Sequence, residues 1–215
     1  MIEPIEELFF GPYVARYNVN DELINGLLER GEKLTPGDAN KDLAGYLKDQ
    51  RHFTIEDKKW FIEKFQPYAD SYSDGYIQAH NFRKEFATSK FQLIDLWINY
   101  MKQNEYNPPH THDGQVSWVI FLNTIDLNEE IENYKGTAGR PGSFVCEYGE
   151  NQLPYWAKTG NAYLPTKGEM FMFPAMLRHF VVPFKSNQER ISVSGNFFFS
   201  NPNEPSGIAA RQPGQ

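Results

Sequence analysis

The sequence predicts an α+β protein, mainly β, in which an N-terminal helical layer packs on a C-terminal all-β sandwich or barrel. Three observations predict it. Amphipathic stretches with capping residues occupy the first 90 or so positions, and beyond them short β-branched and aromatic runs are separated by Gly, Pro and Asn clusters. The chain has 215 residues, 40% of them hydrophobic and 15% aromatic, which suits one domain with a sizeable core and excludes wholesale disorder.

In chain order, residues 6–19 (EELFFGPYVARYNV) are aromatic and β-branched around a Gly-Pro break, the pattern of a strand entering a helix. Asn20 and Asp21 can cap that helix, Leu23, Ile24, Leu27 and Leu28 form its apolar stripe, and Gly31 is the expected stop. Residues 54–70 place Trp60, Phe61 and Phe65 near helical spacing behind Thr54 and Asp57, which have capping-box spacing. Pro67 is expected to end or kink this helix. A third amphipathic stretch spans about residues 75–86. Residues 91–106 are apolar at Phe91, Leu93, Leu96 and Trp97, and their middle, 96–101, reads equally well as buried strand or helix.

The runs at 116–125, 143–149, 169–174, 179–184 and 190–199 then predict short strands of a sandwich or barrel rather than βαβ units. Residues 126–142 are an acidic, then Gly-rich excursion. The wider segment 126–160, with Gly136, Gly139 and Gly142 as hinges, is either a lid or a solvated insertion. Residues 200–215 carry too little apolar content to fold alone and are expected to be a flexible tail. The expected organisation is one domain over 1–199, with its helical layer at about 20–90 and its β core at about 91–199.

Charge and cysteine content narrow the partners. Twenty-one Lys and Arg against 28 Asp and Glu leave a net −7, which argues against general nucleic-acid binding. No apolar run approaches the roughly 18 residues that a membrane span requires. The lone Cys146 cannot form an intramolecular disulfide, and MIEPIEELFF lacks the basic and apolar regions of a signal peptide, so a cytoplasmic setting is expected. The substrate, a small molecule or a side chain of another protein, is not legible, and a homodimer remains open.

The densest chemical signal is Tyr106-Asn-Pro-Pro-His110-Thr-His112-Asp113-Gly114. In a strand, residues i and i+2 share a face about 7 Å apart, so His110 and His112 can converge on one ion while Asp113 faces away unless the strand ends there. His179 opens a later strand. Three ligands on one face leave open the positions that non-haem Fe(II) needs for a cosubstrate and O2. The plain alternative is that each is a hydrogen-bonded core histidine.

The segment after His179 favours the metal. Drawn as a hairpin turning at Ser186 and Asn187, it pairs Pro183 with Arg190, Val181 with Ser192 and His179 with Ser194, placing His179, Arg190, Ser192 and Ser194 on one face. Arg190 then starts roughly 13 Å from the metal level. A five-carbon dicarboxylate such as 2-oxoglutarate would bridge that gap, chelating iron at one end and taking a charge-assisted fork from Arg190 and a hydroxyl from Ser192 at the other. The alternative is a surface arginine beside Glu189. Asn99 and Tyr106 are further candidates for cosubstrate or substrate contacts, and Trp118 and Trp156 for a substrate mouth, although such residues are commonly structural. His52 and His80 fall in the helical half with no convergent partner.

Several of these residues carry a family resemblance. Tyr106-Asn-Pro-Pro-His110-Thr-His112 is similar to the prolyl-hydroxylase-like pattern of aromatic, Pro, His, any residue, Asp. Gly168-Glu-Met-Phe-Met-Phe-Pro174, His179, Pro183 and Glu189-Arg190-Ile-Ser192 resemble a motif set of a 2-oxoglutarate- and Fe(II)-dependent oxygenase family from bacteria and tailed phages. Glu7-Leu-Phe-Phe-Gly-Pro-Tyr and Trp97-Ile-Asn99 fit the same family, so the resemblance covers nearly the whole chain. It implies a double-stranded β-helix of jelly-roll or cupin-like form. It also implies a dioxygenase that uses Fe(II), 2-oxoglutarate and O2 and releases succinate and CO2 as it hydroxylates a substrate. His110 and His179 would be ligands, and Arg190 with Ser192 the 2-oxoglutarate clamp. The sequence departs from the family where His112 stands in place of the usual Asp, leaving His112 or Asp113 as second ligand, with strand parity favouring His112. Two rival readings are a three-His cupin-type metalloenzyme that does not use 2-oxoglutarate and a non-catalytic jelly-roll binding module.

Overall fold

A computed structural model describes residues 11–39, 45–82, 88–137, 139–149 and 160–209. The opening motif up to Phe10 and Trp156 lie outside these residues.

The chain starts with strand β1 (Ala15–Asn18) and helix α1 (Asp21–Glu32). Asn20 caps α1 by accepting from Leu23 N–H at 2.9 Å. Gly31 is not the stop, because the helix continues through Glu32. It instead makes room for the sheet: a Cβ there would lie 2.5 Å from Ile98 Cδ1 and 3.0 Å from the Tyr100 hydroxyl. Strand β2 (Gln50–His52) interrupts the helical layer that the sequence suggests between 20 and 90.

Helix α2 (Ile55–Ala79) carries the full capping box, with Asp57 N–H donating to Thr54 Oγ1 at 3.2 Å and Thr54 N–H to Asp57 Oδ2 at 3.2 Å. It runs through Pro67, contrary to the expected end there. Pro67 lies on the exposed face, so the carbonyl that its missing N–H leaves free can be hydrated, while buried Phe61, Phe65, Ala69 and Tyr72 hold both halves against the sheet. The third amphipathic stretch is largely the end of α2, and residues 83–87 fall outside the described ones.

Among the described residues there follow β3 (Phe91–Met101), β4 (Asn107–His110), β5 (Val116–Phe121), the short α3 (Asn128–Glu132), β6 (Phe144–Glu147), β7 (Gly160–Tyr163), β8 (Glu169–Pro174), β9 (Arg178–Val181) and β10 (Arg190–Phe199). The ambiguous 96–101 segment is strand. A last strand, β11 (Gly207–Ile208), runs parallel to β3.

A major sheet has the order β1-β8-β5-β10-β3-β11, with β2 also on β3, and a minor sheet the order β4-β9-β6-β7. The expected flexible tail is therefore corrected as far as residue 209. Ala209 N–H donates to Leu93 O at 2.9 Å, and Ser206 Oγ accepts from Phe91 N–H at 3.1 Å. The tail needs no core of its own because it borrows the free backbone groups of β3.

Strand alternation divides the core. Leu93, Leu96, Ile98, Trp118, Ile120, Met170, Met172, Val193 and Phe197 face α1 and α2. Val119, Phe121, Phe171 and Phe173 face the minor sheet, where they meet Phe144 and Cys146. Trp118, a candidate for a substrate mouth, is 1% exposed and stacks on Phe61 with ring centroids 4.8 Å apart, a core position that also borders the cavity between the two sheets.

Gly31→Ala should lower stability by roughly 1–3 kcal/mol, the cost of overpacking, although the same change in an open helix stabilises. Urea unfolding measures this, and a gain in stability would contradict the packing described for Gly31.

Candidate metal centre

The minor sheet delivers two histidines in register. His110, the last residue of β4, is the cross-strand partner of His179 on β9, and Cys146 of β6 flanks His179 on the other side. His112 arrives differently from the alternation that the sequence suggests. It lies two residues beyond the end of β4, where its N–H donates to Ala175 O at 2.9 Å. The chain then turns toward β5 through Gly114 (φ +96), where a Cβ would come within 3.0 Å of Phe197 O. This crossover between sheets, rather than strand parity, brings His112 to the other two. Asp113 is exposed on the turn.

One nitrogen of each imidazole lies within 4.8 Å of those of the other two. The rings are 4.4 Å apart for His110 and His179, 4.8 Å for His110 and His112, and 5.0 Å for His112 and His179. Nδ1 of His110 is 2.6 Å from Pro108 O and that of His179 is 2.9 Å from Leu177 O. A nitrogen against a carbonyl must carry the proton, which leaves both Nε2 lone pairs free. His112 packs against Trp97 with ring centroids 5.6 Å apart. Burial, with the neighbouring imidazoles adding to it, lowers the pKa of His112 to about 3 and that of His179 to about 4, and burial also lowers that of His110. All three are neutral at pH 7, the form that binds a metal.

The major sheet supplies the opposite wall. Trp97, Asn99 and Met101 alternate along β3, and Arg190, Ser192 and Ser194 along β10, with Ser194 opposite Trp97, Ser192 opposite Asn99 and Arg190 opposite Met101. All six line the cavity that the three histidines also line. The expected hairpin between His179 and Arg190 does not form. β9 pairs with β4 and β6, whereas β10 pairs with β3 and β5, so the two segments belong to different sheets. Both sides of β9 are already occupied, and the intervening chain crosses between sheets, anchored by the buried Phe184. His179 and Arg190 therefore share a cavity because two sheets face each other.

Arg190 is 3% exposed and lies over Phe121 and Phe184. Its neighbour Glu189 pairs instead with Lys102 at 3.5 Å. Among the described residues no carboxylate bonds the Arg190 guanidinium. NH1 donates to Gly142 O, and NH2 donates to Met101 Sδ at 3.1 Å. Burial lowers its pKa to about 10, which leaves it charged at pH 7. Asn99 Oδ1 is also buried without a hydrogen-bond partner. A buried cation is costly unless an anion joins it, so the guanidinium fits an anion facing the metal donors, whereas the Asn99 oxygen, an acceptor, calls for a donor such as a hydroxyl.

Other candidates stand apart. Tyr106 pairs its backbone with Tyr46 (2.9 and 3.2 Å), its side chain is 42% exposed, and it does not line the cavity. His52 lies 3.4 Å from Asp95, and His80 contacts the carbonyls of Tyr76 and Gly11, so both have partners that the sequence did not suggest. Trp97, Met101 and Gly142 were not singled out as contacts of the site. Alternation from Asn99 along β3 would have found the first two. Nothing local marks the third.

Residues 95–196 match the model of a family described as "Putative 2OG-Fe(II) oxygenase". Solved structures of similar fold include a 2OG-Fe(II) oxygenase family oxidoreductase from Burkholderia pseudomallei, 14% identical with a TM-score of 0.54 over 91% of this chain and 88% of that one. A prolyl-4-hydroxylase from Pseudomonas putida gives 14% identity and a TM-score of 0.52 over 87% and 92%. HygX from Streptomyces hygroscopicus, solved with nickel and 2-oxoglutarate bound, gives 8% identity and a TM-score of 0.56 over 93% and 92%. These likenesses show the double-stranded β-helix fold. No curated protein matches the sequence. Among the described residues no helix is long and apolar enough to cross a membrane.

The neutral histidines set a pH dependence. Their folded pKa values lie below the ordinary 6.5, so as pH falls from about 6.5 toward 4 the unfolded chain takes up protons that the fold refuses, and stability drops. In metal-free protein, urea midpoints should fall less steeply between pH 7 and 5 for His112→Gln than for the unchanged chain. Equal slopes would show that His112 is not held neutral.

Proposed function

We propose, for a chain whose residues 95–196 belong to the 2OG-Fe(II) oxygenase family, that His110, His112 and His179 hold Fe(II) and that Arg190 and Ser192 hold 2-oxoglutarate in one site of a dioxygenase. The observation that carries the reading is Arg190: a fully buried guanidinium with no acidic partner among the described residues, in the same cavity as three neutral imidazoles. Fe(II) held there would supply O2 activation coupled to 2-oxoglutarate decarboxylation, the overall products being succinate, CO2 and a hydroxylated substrate.

The rest of the work falls to the chain. The Pro108 and Leu177 carbonyls hold two imidazoles in the metal-binding tautomer. The remaining N–H groups of Arg190, with the Ser192 hydroxyl, match the far carboxylate of a dicarboxylate. Asn99, register partner of Ser192, can present its amide to either cosubstrate or substrate. Phe121, Phe144 and Phe173 exclude water around these groups. The free space is about 50 Å3, room for one or two waters, so admission of a diacid requires lining side chains to move apart. Trp97 would report that movement by fluorescence.

His112 replaces a carboxylate, leaving the metal one charge more positive than with His, Asp and His ligands, while the exposed Asp113 stands off the cluster. The helical layer shares its core with the major sheet, which supports a single oxygenase domain. Cys146, its thiol pushed up to about 12 by burial, is inert, which fits a cytoplasmic enzyme. The substrate is a small molecule or a protein side chain.

Protein purified without chelators should bind one equivalent of Fe(II) or Mn(II) by elemental analysis. His179→Ala should lose it, and Asp113→Ala should keep it. Anaerobic calorimetry on Mn(II)-loaded protein should give 1:1 binding of 2-oxoglutarate, weakened at least about a hundredfold in Arg190→Ala by loss of a charged fork. Stoichiometric metal without 2-oxoglutarate binding would favour a three-His enzyme of cupin type. No metal at all would leave a binding module.

A further inference from the structure

A guanidinium at the end of a flexible stem binds a carboxylate well only if its fork is already aimed. In many ion-pair networks an acid does the aiming. Around Arg190 no described acid is available, and the work falls to Gly142 O on NH1 and to Met101 Sδ on NH2. Each terminal nitrogen carries two N–H groups, so one on each remains for a ligand carboxylate.

Both partners are fixed independently of any ligand. Gly142 ends the acidic, Gly-rich excursion that the sequence offers as a hinged lid, but here its backbone is pinned. Gly142 N–H donates to Val182 O at 3.2 Å, Val182 N–H to Ser143 O at 2.9 Å, and Ser143 N–H to Arg140 O at 3.0 Å. Its φ is +74, and a Cβ would lie 2.4 Å from Leu127 Cδ1, so both conformation and space reserve the position for glycine. Leu127, in turn, packs with Met101 and Phe184 in one small cluster beside the guanidinium. Met101, 4% exposed, is the register partner of Arg190 across β3 and β10, which fixes the height of its sulfur relative to the guanidinium.

We propose that Gly142 and Met101 are the positioning residues of the 2-oxoglutarate clamp. Through its carbonyl and its sulfur they hold the Arg190 fork at one distance from the three histidines, and so set both the affinity for the far carboxylate and the chain length of the diacid accepted. This rests on the reading of Arg190 as the clamp. A residue that only stabilised the fold would leave diacid selectivity unchanged.

The test is anaerobic calorimetry of the full chain loaded with Mn(II), titrated separately with 2-oxoglutarate and with the six-carbon 2-oxoadipate, for Gly142→Ala, Met101→Leu and Arg190→Ala. In Gly142→Ala the Kd for 2-oxoglutarate should rise about tenfold, as for one lost hydrogen bond to a charged group, and in Met101→Leu about threefold. In both, discrimination against 2-oxoadipate should narrow while Mn(II) affinity stays unchanged. If both variants keep the original Kd and selectivity while Arg190→Ala loses binding, the positioning inference is overturned and the clamp stands. If Arg190→Ala binds as well as the unchanged chain, the clamp itself falls and the inference with it. Should Gly142→Ala fail to fold, the near-isosteric Met101→Leu decides, and unchanged affinity and selectivity in it overturn the proposal.

Discussion

A positive charge sealed between two sheets, with no acid beside it among the described residues, is the constraint to which the rest of the site answers. Arg190 sits over two phenylalanines with a carbonyl and a thioether as its partners. Both are weaker acceptors than a carboxylate, so the folded chain retains an unmet demand for an anion. The demand faces inward, toward three imidazoles that the same burial keeps uncharged. Lone pairs at one end of the cavity and a cation at the other are complementary to a metal ion chelated by one end of a diacid.

The fold makes that juxtaposition by opposing sheets rather than by neighbouring residues. Each wall contributes a different chemical type: histidines from the minor sheet and its crossover, Arg190, Ser192 and Asn99 from the major sheet. Among the described residues, neither α1 nor α2 lines the cavity of the three histidines. The helices pack behind the major sheet, where Phe61 and Phe65 share one core with Ile98, Val193 and Phe197 of β3 and β10. A histidine at 112 in place of a carboxylate would make a bound metal one charge more positive, and its ring nitrogen lies with those of His110 and His179 just before the turn at Gly114.

Much of this was legible in the sequence, and the misses have physical causes. The capping box at Thr54 and Asp57 and the strands after residue 90 follow from local pattern, and the three histidines, Arg190 and Ser192 do line one cavity, though through two facing sheets rather than through a local hairpin. The hairpin from His179 to Arg190 was a sound local inference that failed because strand pairing is non-local: β9 was already flanked by β4 and β6. Pro67 and Gly31 were misread for the same reason, since a helix held by tertiary packing tolerates residues that would end it in isolation. The tail after Ser200 lacks apolar content yet docks, because an open strand edge asks only for backbone. Gly142 is marked locally only as a hinge, and nothing near it signals a contact with Arg190, 48 residues away.

The central claim is that three histidines and Arg190 form a single site spanned by 2-oxoglutarate. A crystal structure of the protein grown anaerobically with Mn(II) and 2-oxoglutarate tests it most directly. The account predicts one metal ion on the Nε2 atoms of His110 and His179 and on His112, with the far carboxylate of 2-oxoglutarate on Arg190 and Ser192. A metal bound by Asp113 instead of His112, or a carboxylate held away from Arg190, would contradict it.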